Sequence, residues 1–163
     1  MLLNEVKDKN DFLDGVVVLI DKPLQWSSFD AVRKMKNILQ RNLGFKKIKI
    51  GHGGTLDPLA TGLLIIGIGK ATKMLQQFQD DEKEYISDVF LGATTPSFDL
   101  ESEVDRTYET SHINKDLVEE KLNEFIGEYE QTPPMFSAKK INGKRAYEYA
   151  RKGEEVEMKS VLV

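Results

Sequence analysis

Residues 51–62 read Gly51-His52-Gly53-Gly54-Thr55-Leu56-Asp57-Pro58-Leu59-Ala60-Thr61-Gly62, and the apolar, β-branched run Leu63 to Ile68 follows directly. Glycine and proline break regular structure, so residues 51–62 predict a loop. The apolar run predicts a buried strand, and the alternating residues Lys47 to Gly51 predict another strand before the loop. The loop is therefore expected to connect two strands, and it carries a single acidic residue, Asp57.

Asp57 is isolated within a basic stretch of the chain. It is the only carboxylate between Ala31 and Gln79, where nine basic residues occur: Arg33, Lys34, Lys36, Arg41, Lys46, Lys47, Lys49, Lys70 and Lys73. This stretch has a net charge of +8 and the remainder has −12, so the overall −4 conceals a strong asymmetry. One interpretation is a surface that attracts a polyanion and uses one carboxylate for chemistry on it. The other is a solvated helix face beside an acidic remainder, and charge alone does not distinguish the two.

The composition is that of a globular chain. Its 163 residues suggest one domain, with 40% hydrophobic and 31% charged residues. No apolar run approaches the length of a bilayer span, so we expect no membrane partner. Cysteine is absent, which excludes disulfides, thiolate metal sites and cysteine nucleophiles within these residues. This usage fits a reducing compartment, and we expect a cytoplasmic protein.

The remaining pattern predicts an alternation of strands and helices. Gly15 to Ile20 predicts a buried strand, and a helix follows from Ser27 or Ser28 to about Gln40, with Asp30 in capping-box spacing. Further along, the pattern predicts a helix over Ala71 to Gln79, a strand over Glu84 to Leu91, a polar loop over Gly92 to Ser111, a helix from Asn114 to Gly127, a hairpin turn at Asn142-Gly143 and a short helix over Arg145 to Lys152. The chain ends in a strand-like apolar run, Val161 to Val163, which leads us to expect a truncated chain.

Two common kinds of site do not fit the spacing. Gly62 and Gly67 have the first spacing of a phosphate-binding loop, but Ile68 stands where that motif needs lysine. The two histidines, His52 and His112, are far apart and belong to no cluster with metal-ligand spacing. We therefore expect neither a nucleotide cofactor nor a metal. A purely structural role for His52 and Asp57, with both side chains bonded to loop backbone, remains open at this point.

Five segments in order carry a resemblance to a known family. They are Gly15 to Pro23 with Ser27-Ser28; the glycine loop from Gly51 to Leu64; Gly69-Lys70-Ala71-Thr72-Lys73; Lys83-Glu84-Tyr85; and Pro134 to Lys139 through Asn142 to Gly153. Together they resemble the TruB family of tRNA pseudouridine synthases over Gly15 to Val163. The family usually has threonine at the position of Gly53.

The resemblance implies a fold, a reaction and a set of site residues. The implied fold is α+β, with a mixed, largely antiparallel sheet flanked by helices. The implied reaction converts a flipped-out uridine to pseudouridine at uridine 55 in the TΨC loop of tRNA, without a cofactor and with tRNA as the partner. Asp57 matches the family's catalytic aspartate, which acts as nucleophile or base. Tyr85 matches the stacking tyrosine, His52 the residue that helps to hold the RNA loop, and Lys22 a segment lining the site.

The resemblance also implies a division of the chain and leaves alternatives. Residues 1–14 are expected to be an N-terminal tail, and residues 15–163 part of the catalytic domain. The family's downstream arginine motif is not found in these residues, so we expect the 163-residue chain alone to be inactive. One alternative is an RNA-binding or RNA-folding protein with little catalysis. Another is a guide-RNA-dependent, dyskerin-like pseudouridine synthase.

Overall fold

The computed structural model describes residues 1–137, 139–150, 152–154 and 156–163, and these form two compact units, Met1–Ile86 and Ser87–Val163. Ala138 and Arg151, which belong to the segments that carry the family resemblance, lie outside the described residues. No helix in the described ranges is long and apolar enough to cross a bilayer.

The first unit contains most of the regular structure. Its helices and strands are a 3₁₀ turn at Leu3–Glu5, α1 (Lys9–Gly15), β1 (Val16–Lys22), α2 (Ser28–Leu43), β2 (Ile50–His52), β3 (Gly62–Ile68), a 3₁₀ helix at Gly69–Met74 and α3 (Leu75–Asp80). The three strands form an antiparallel sheet in the order β1-β3-β2. The predictions of β1, α2 and β3 are confirmed. The strand before the loop is shorter than predicted, and the predicted helix over Ala71 to Gln79 divides into a 3₁₀ helix and α3.

The core lies between this sheet and α2. Inward-facing side chains of β1 and β3 pack against the apolar stripe of α2, and the buried members are Val16, Val18, Ala31, Val32, Leu39, Leu64, Ile66 and Ile68. Burying one such aliphatic side chain stabilises a fold by about 1.5–3 kcal/mol. Phe12 of α1 joins the core and contacts Phe45 edge-on, with ring centroids 6.2 Å apart. The segment before Gly15 is therefore folded onto the core through α1.

Helix α2 begins and ends as its sequence predicts. The Asp30 N–H donates to Ser27 Oγ at 3.1 Å, and the Ser27 N–H donates to Asp30 Oδ2 at 3.1 Å. This reciprocal pair is a capping box, and it supplies partners for backbone donors at the helix start. The Ser27 hydroxyl, followed by its N–H, lowers the pKa of Asp30 below its ordinary value because both donate to the carboxylate. The helix ends before Gly44, whose φ of 64° is left-handed.

The second unit is built from short elements. Three two-stranded antiparallel ladders are formed by β4 (Ala93–Thr94) with β5 (Arg106–Thr107), β6 (Glu130–Gln131) with β9 (Val161–Leu162), and β7 (Lys140–Ile141) with β8 (Lys144–Arg145). Its helices are α4 (Lys115–Asn123) and α5 (Ala146–Ala150). The hairpin turn at Asn142-Gly143 is confirmed, and both residues have positive φ. The α+β class and its largely antiparallel pairing are also confirmed.

Three local predictions in and near the second unit need correction. The strand predicted over Glu84 to Leu91 is wrong, because residues 81–91 are exposed and form no strand. A segment rich in β-branched and aromatic residues forms a strand only where another strand supplies hydrogen bonds, and none of the described strands pairs with this segment. The loop predicted over Gly92 to Ser111 contains the β4–β5 ladder, and α4 ends at Asn123, before the predicted stop at Gly127.

Gly69 allows the close packing of the sheet against α1, and its replacement is expected to be severe. Gly69 has a φ of 62°, and a Cβ there would lie 2.1 Å from the Phe12 carbonyl oxygen. Because the clash is with backbone, Gly69→Ala is expected to lower the free energy of unfolding by about 3 kcal/mol or more. Gly44→Ala is the matched control, since Gly44 has a φ of 64° with nothing within 4 Å of a built Cβ. It should lose only about 1 kcal/mol in urea unfolding, and equal losses would contradict the packing argument.

Candidate active site

The loop of residues 53–61 lies at one end of the three-stranded sheet. It leaves β2 after His52 and enters β3 at Gly62. Because β1 runs antiparallel to β3, the last residue of β1, Lys22, is the register partner of Gly62. The glycine loop therefore lies beside the end of β1 and the segment that follows it, at the same end of the sheet.

The backbone around Asp57 is held from both sides. The Leu56 N–H donates to Ser28 Oγ at 2.8 Å, and the Ser28 hydroxyl donates to the Leu56 carbonyl at 3.0 Å. On the other side, the Gln25 N–H donates to the Pro58 carbonyl at 2.7 Å. The Asp57 side chain itself is exposed. A fixed backbone with an exposed carboxylate is the arrangement that a group acting on a bound ligand needs.

Lys22 is a buried cation beside this loop. It is 0% exposed, and its Nζ donates to the carbonyl oxygens of Pro23, at 3.1 Å, and Trp26. Burial lowers the pKa of Lys22 below its ordinary value, and attraction to the Asp57 carboxylate opposes that shift. Lys22 therefore provides positive charge to the site from within the fold.

His52 holds the entrance of the loop. It is half-buried at the end of β2, and its Nδ1–H donates to the Gly54 carbonyl. A backbone-bonded role is thus observed for His52. Asp57 differs, because its side chain makes no hydrogen bond to any residue that the structure describes. The site therefore combines a fixed histidine with an unbonded, exposed carboxylate.

An open pocket of about 750 Å³ adjoins the loop. Leu56 and Leu59, which flank Asp57, contribute to its wall, and Phe78 of α3 and Tyr85 line it as well. Tyr85 is 69% exposed, so its ring is accessible to a ligand. The Asp57 side chain is not among the lining groups. The structure thus brings Tyr85 to the pocket beside the Asp57 loop, and it places Lys22 and His52 at the loop's edges.

Gly53 stands where the resembling family usually has threonine. It is buried, its N–H donates to the Ile65 carbonyl at 2.8 Å, and a Cβ there would lie 3.2 Å from the Phe78 Cβ. The absence of a side chain lets α3 pack closely against the start of the loop. This packing fixes the residue that follows His52.

No metal site is formed by the residues that the structure describes. Nowhere in the described ranges do three or more His, Asp or Glu side chains converge as a possible metal-binding group. The side chains at and around this end of the sheet offer a carboxylate, a buried ammonium group, an imidazole and a phenol.

The serine and glutamine that anchor the loop were missed by the sequence analysis. The sequence offers Ser27 and Ser28 as alternative capping residues, and Ser27 is the one that caps α2. Ser28 instead bonds to Leu56, 28 residues away. The pair of adjacent serines was a usable signal, because one helix start needs only one N-cap. Gln25 gave no such signal in the sequence. It anchors the loop through its backbone N–H and adopts a φ of 65°, which is unexpected for a residue other than glycine.

Comparison with known proteins identifies the family. Residues 40–163 match the family model described as TruB family pseudouridylate synthase (N terminal domain). The chain belongs to the TruB family. A relative in Phocaeicola vulgatus, named tRNA pseudouridine synthase B, is 60% identical over 150 residues, covering 92% of this chain and 64% of its own length. Proteins of the same name in Parabacteroides distasonis and Aquifex aeolicus are 58% and 50% identical, over 92% and 93% of this chain and 64% and 50% of theirs.

The match to the TruB family confirms the resemblance inferred from the five ordered segments. The chain spans about 64% of the length of the first of these curated relatives. A proposed activity therefore refers to the complete protein, meaning the gene product that contains these residues.

Proposed function

We propose that the complete protein converts uridine to pseudouridine in tRNA, at uridine 55 of the TΨC loop. The observation that carries the proposal is the exposed Asp57 carboxylate on a loop anchored at Leu56 and Pro58, beside the buried Lys22. The relatives named tRNA pseudouridine synthase B support the substrate class. The protein would act where tRNA is processed, in the cytoplasm.

The reaction is an isomerisation that needs no oxidant or reductant. The N1–C1′ bond of the uridine breaks, the base rotates, and a C5–C1′ bond forms. The C5 proton passes to solvent, and N1 gains a proton. Asp57 acts on the nucleotide as a nucleophile at C1′ or C6, or as a base for a sugar proton. A carboxylate suits each role because it is already ionised at neutral pH.

The target base has to leave the RNA stack before Asp57 can reach it. Extrusion requires a few kcal/mol, which new contacts in a pocket offset. The pocket beside the loop has a volume of about 750 Å³, and the exposed Tyr85 ring lines it. Stacking of one base on such a ring is worth roughly 1–3 kcal/mol. In this proposal Tyr85 stacks on the flipped uracil, and His52 fixes the loop against which the RNA packs.

The proposal is tested by release of tritium from tRNA labelled at C5 of uridine. The complete protein should release one equivalent of tritium from the target position without added guide RNA. A tRNA with cytidine at position 55 should release none. Salt-dependent tRNA binding without any release would instead favour an RNA-binding or RNA-folding protein. Release that required a guide RNA would favour the dyskerin-like alternative.

The hydrogen bonds of Ser28 offer a test of whether loop anchoring matters for this reaction. Ser28→Ala leaves the Leu56 N–H and carbonyl without their partner, so stability should fall by about 1–2 kcal/mol. Because Leu56 precedes Asp57, kcat should also fall, by roughly 10- to 100-fold. Ser27→Ala is the matched control: it removes the α2 cap, with a similar stability loss of about 1 kcal/mol, and should keep kcat within about 3-fold. Equal kcat values for the two variants would show that the anchor is only structural.

A further inference from the structure

A second concave surface lies in the first unit, away from the glycine loop. It has a volume of about 710 Å³, and six lysines line it: Lys36, Lys46, Lys47, Lys49, Lys70 and Lys73. We call this surface the lysine groove. No carboxylate is among its lining residues.

The groove is built on a fixed backbone. After Gly44, the buried Phe45 secures the chain to the core, and the Gln40 side-chain amide donates to the Lys46 carbonyl at 3.4 Å. At the other end, the Gly69 N–H donates to the Lys49 carbonyl at 2.9 Å. Residues 46–49 are thus held from both sides, while Lys46, Lys47 and Lys49 keep their side chains exposed. The charges are displayed by folded structure and not by a loose surface loop.

The charges of the groove are largely uncompensated. Lys70 pairs with Asp14 at 2.7 Å, and no other lysine of the groove forms an ion pair with any residue that the structure describes. Like charges this close together repel each other and destabilise the fold slightly. A bound polyanion would neutralise these charges and relieve the repulsion between them.

The groove lies at the opposite end of the sheet from Asp57. Strand β3 starts beside the Asp57 loop at Gly62 and ends at Ile68, next to Gly69 of the groove, so it spans roughly 20 Å. Helix α2 gives a second estimate. Ser28 anchors the Asp57 loop, and Lys36 and Gln40 line the groove. The rise along the helix from Ser28 to these two residues is roughly 12 and 18 Å. A single extruded nucleotide does not reach across this distance, but a polynucleotide does.

We propose that the lysine groove binds the sugar–phosphate backbone of the substrate tRNA, roughly 20 Å from the flipped uridine, and so positions the RNA on the enzyme. The proposal rests on the proposed function for the identity of the RNA. Lysine contacts phosphate as a point charge and carries no information about base identity, so the groove sets orientation and affinity. The sequence preference for the target uridine lies elsewhere.

The test uses the triple variant Lys46→Gln/Lys47→Gln/Lys49→Gln of the complete protein. Its tRNA dissociation constant is measured from about 50 to 200 mM salt, alongside the unmodified protein. Each lost phosphate contact lowers the magnitude of the slope of log K against log salt by roughly 0.7–0.9, so the triple variant should lose about 2 from the slope. Affinity at 100 mM salt should fall about 10- to 100-fold.

The matched control replaces three exposed lysines of the second unit, as Lys115→Gln/Lys121→Gln/Lys159→Gln. It makes the same change in net charge and should keep the slope within about 0.5 of the unmodified value. A slope lost equally in both triple variants, or in neither, would overturn the proposal. The proposal would also be overturned if polyglutamate displaced tRNA as effectively as an RNA duplex of equal charge does.

Hydroxyl-radical footprinting locates the contact. The unmodified protein should protect a stretch of tRNA backbone roughly 20 Å from the target uridine, and the groove variant should lose that protection alone. Loss of protection around the target uridine instead would contradict the assignment. Tritium release by the unmodified protein is measured in parallel. Absence of release defeats the proposed function, whereas normal release with an unchanged salt slope and footprint in the groove variant defeats only the groove.

Discussion

Asp57→Asn is expected to reduce pseudouridine formation by the complete protein on the order of 10⁴-fold or more, while tRNA binding stays within about 3-fold. Asparagine keeps the size of the side chain, so the loop anchored at Leu56 and Pro58 should be unchanged. It removes the negative charge and the nucleophilic or basic oxygen, and no other carboxylate occurs between Ala31 and Gln79. The rate is measured as single-turnover tritium release at saturating enzyme, which separates chemistry from binding.

The control for Asp57→Asn is the same substitution at Asp21. Asp21 is exposed on β1, next to Lys22, and forms no ion pair within the described ranges. Asp21→Asn removes one negative charge from the same end of the sheet and should leave kcat within about 2-fold. If Asp57→Asn behaved like Asp21→Asn, the carboxylate of Asp57 would have no part in the reaction and the proposed function would fail with it.

The elements that the sequence predicted well are those with a local physical cause. Strands β1 and β3 are continuous apolar runs, and α2 combines an apolar stripe with the Ser27 capping box. Each can therefore be predicted from a short window of sequence. The segment over Glu84 to Leu91 is also rich in β-branched and aromatic residues, yet it forms no strand. A strand depends on a partner at long range, which a pattern within one window does not reveal.

The arrangement of the candidate site depended on long-range contacts that no local pattern contains. The motif pointed to Asp57, but the anchors that hold it come from Ser28 and Gln25, on the segment that follows β1. The burial of Lys22 was also unpredicted, because lysine is rarely buried and its apolar neighbours are assembled only by the fold. Gly53 stands out in the sequence only as a departure from the family's usual threonine, and its role as a packing position for α3 is visible only in the fold.

Lys22→Met is expected to lower kcat on the order of 10²-fold. Methionine keeps an unbranched apolar side chain, one atom shorter than that of lysine, and removes the buried positive charge that attracts the Asp57 carboxylate. The site then lacks the fixed positive charge beside Asp57. Lys7→Met, at an exposed lysine outside the site, should leave kcat unchanged.

Stability measurements separate this electrostatic effect from a packing defect. Burial lowers the pKa of Lys22 in the folded state, so between that lowered value and the ordinary 10.5 the unfolded chain binds more protons than the folded protein. The free energy of unfolding contributed by Lys22 therefore rises with pH through that window. Lys22→Met should lose this rise in urea unfolding, because it carries no titrating group.

Lys22→Met also leaves the carbonyls of Pro23 and Trp26 without their donor, which lowers the free energy of unfolding by about 1–3 kcal/mol for a buried acceptor. This loss is partly offset because the variant no longer buries an ammonium group. A variant that stays folded, lacks the rise and has the lowered kcat would establish Lys22 as the buried cation that acts on the site beside Asp57. A folded variant with normal kcat would contradict that role.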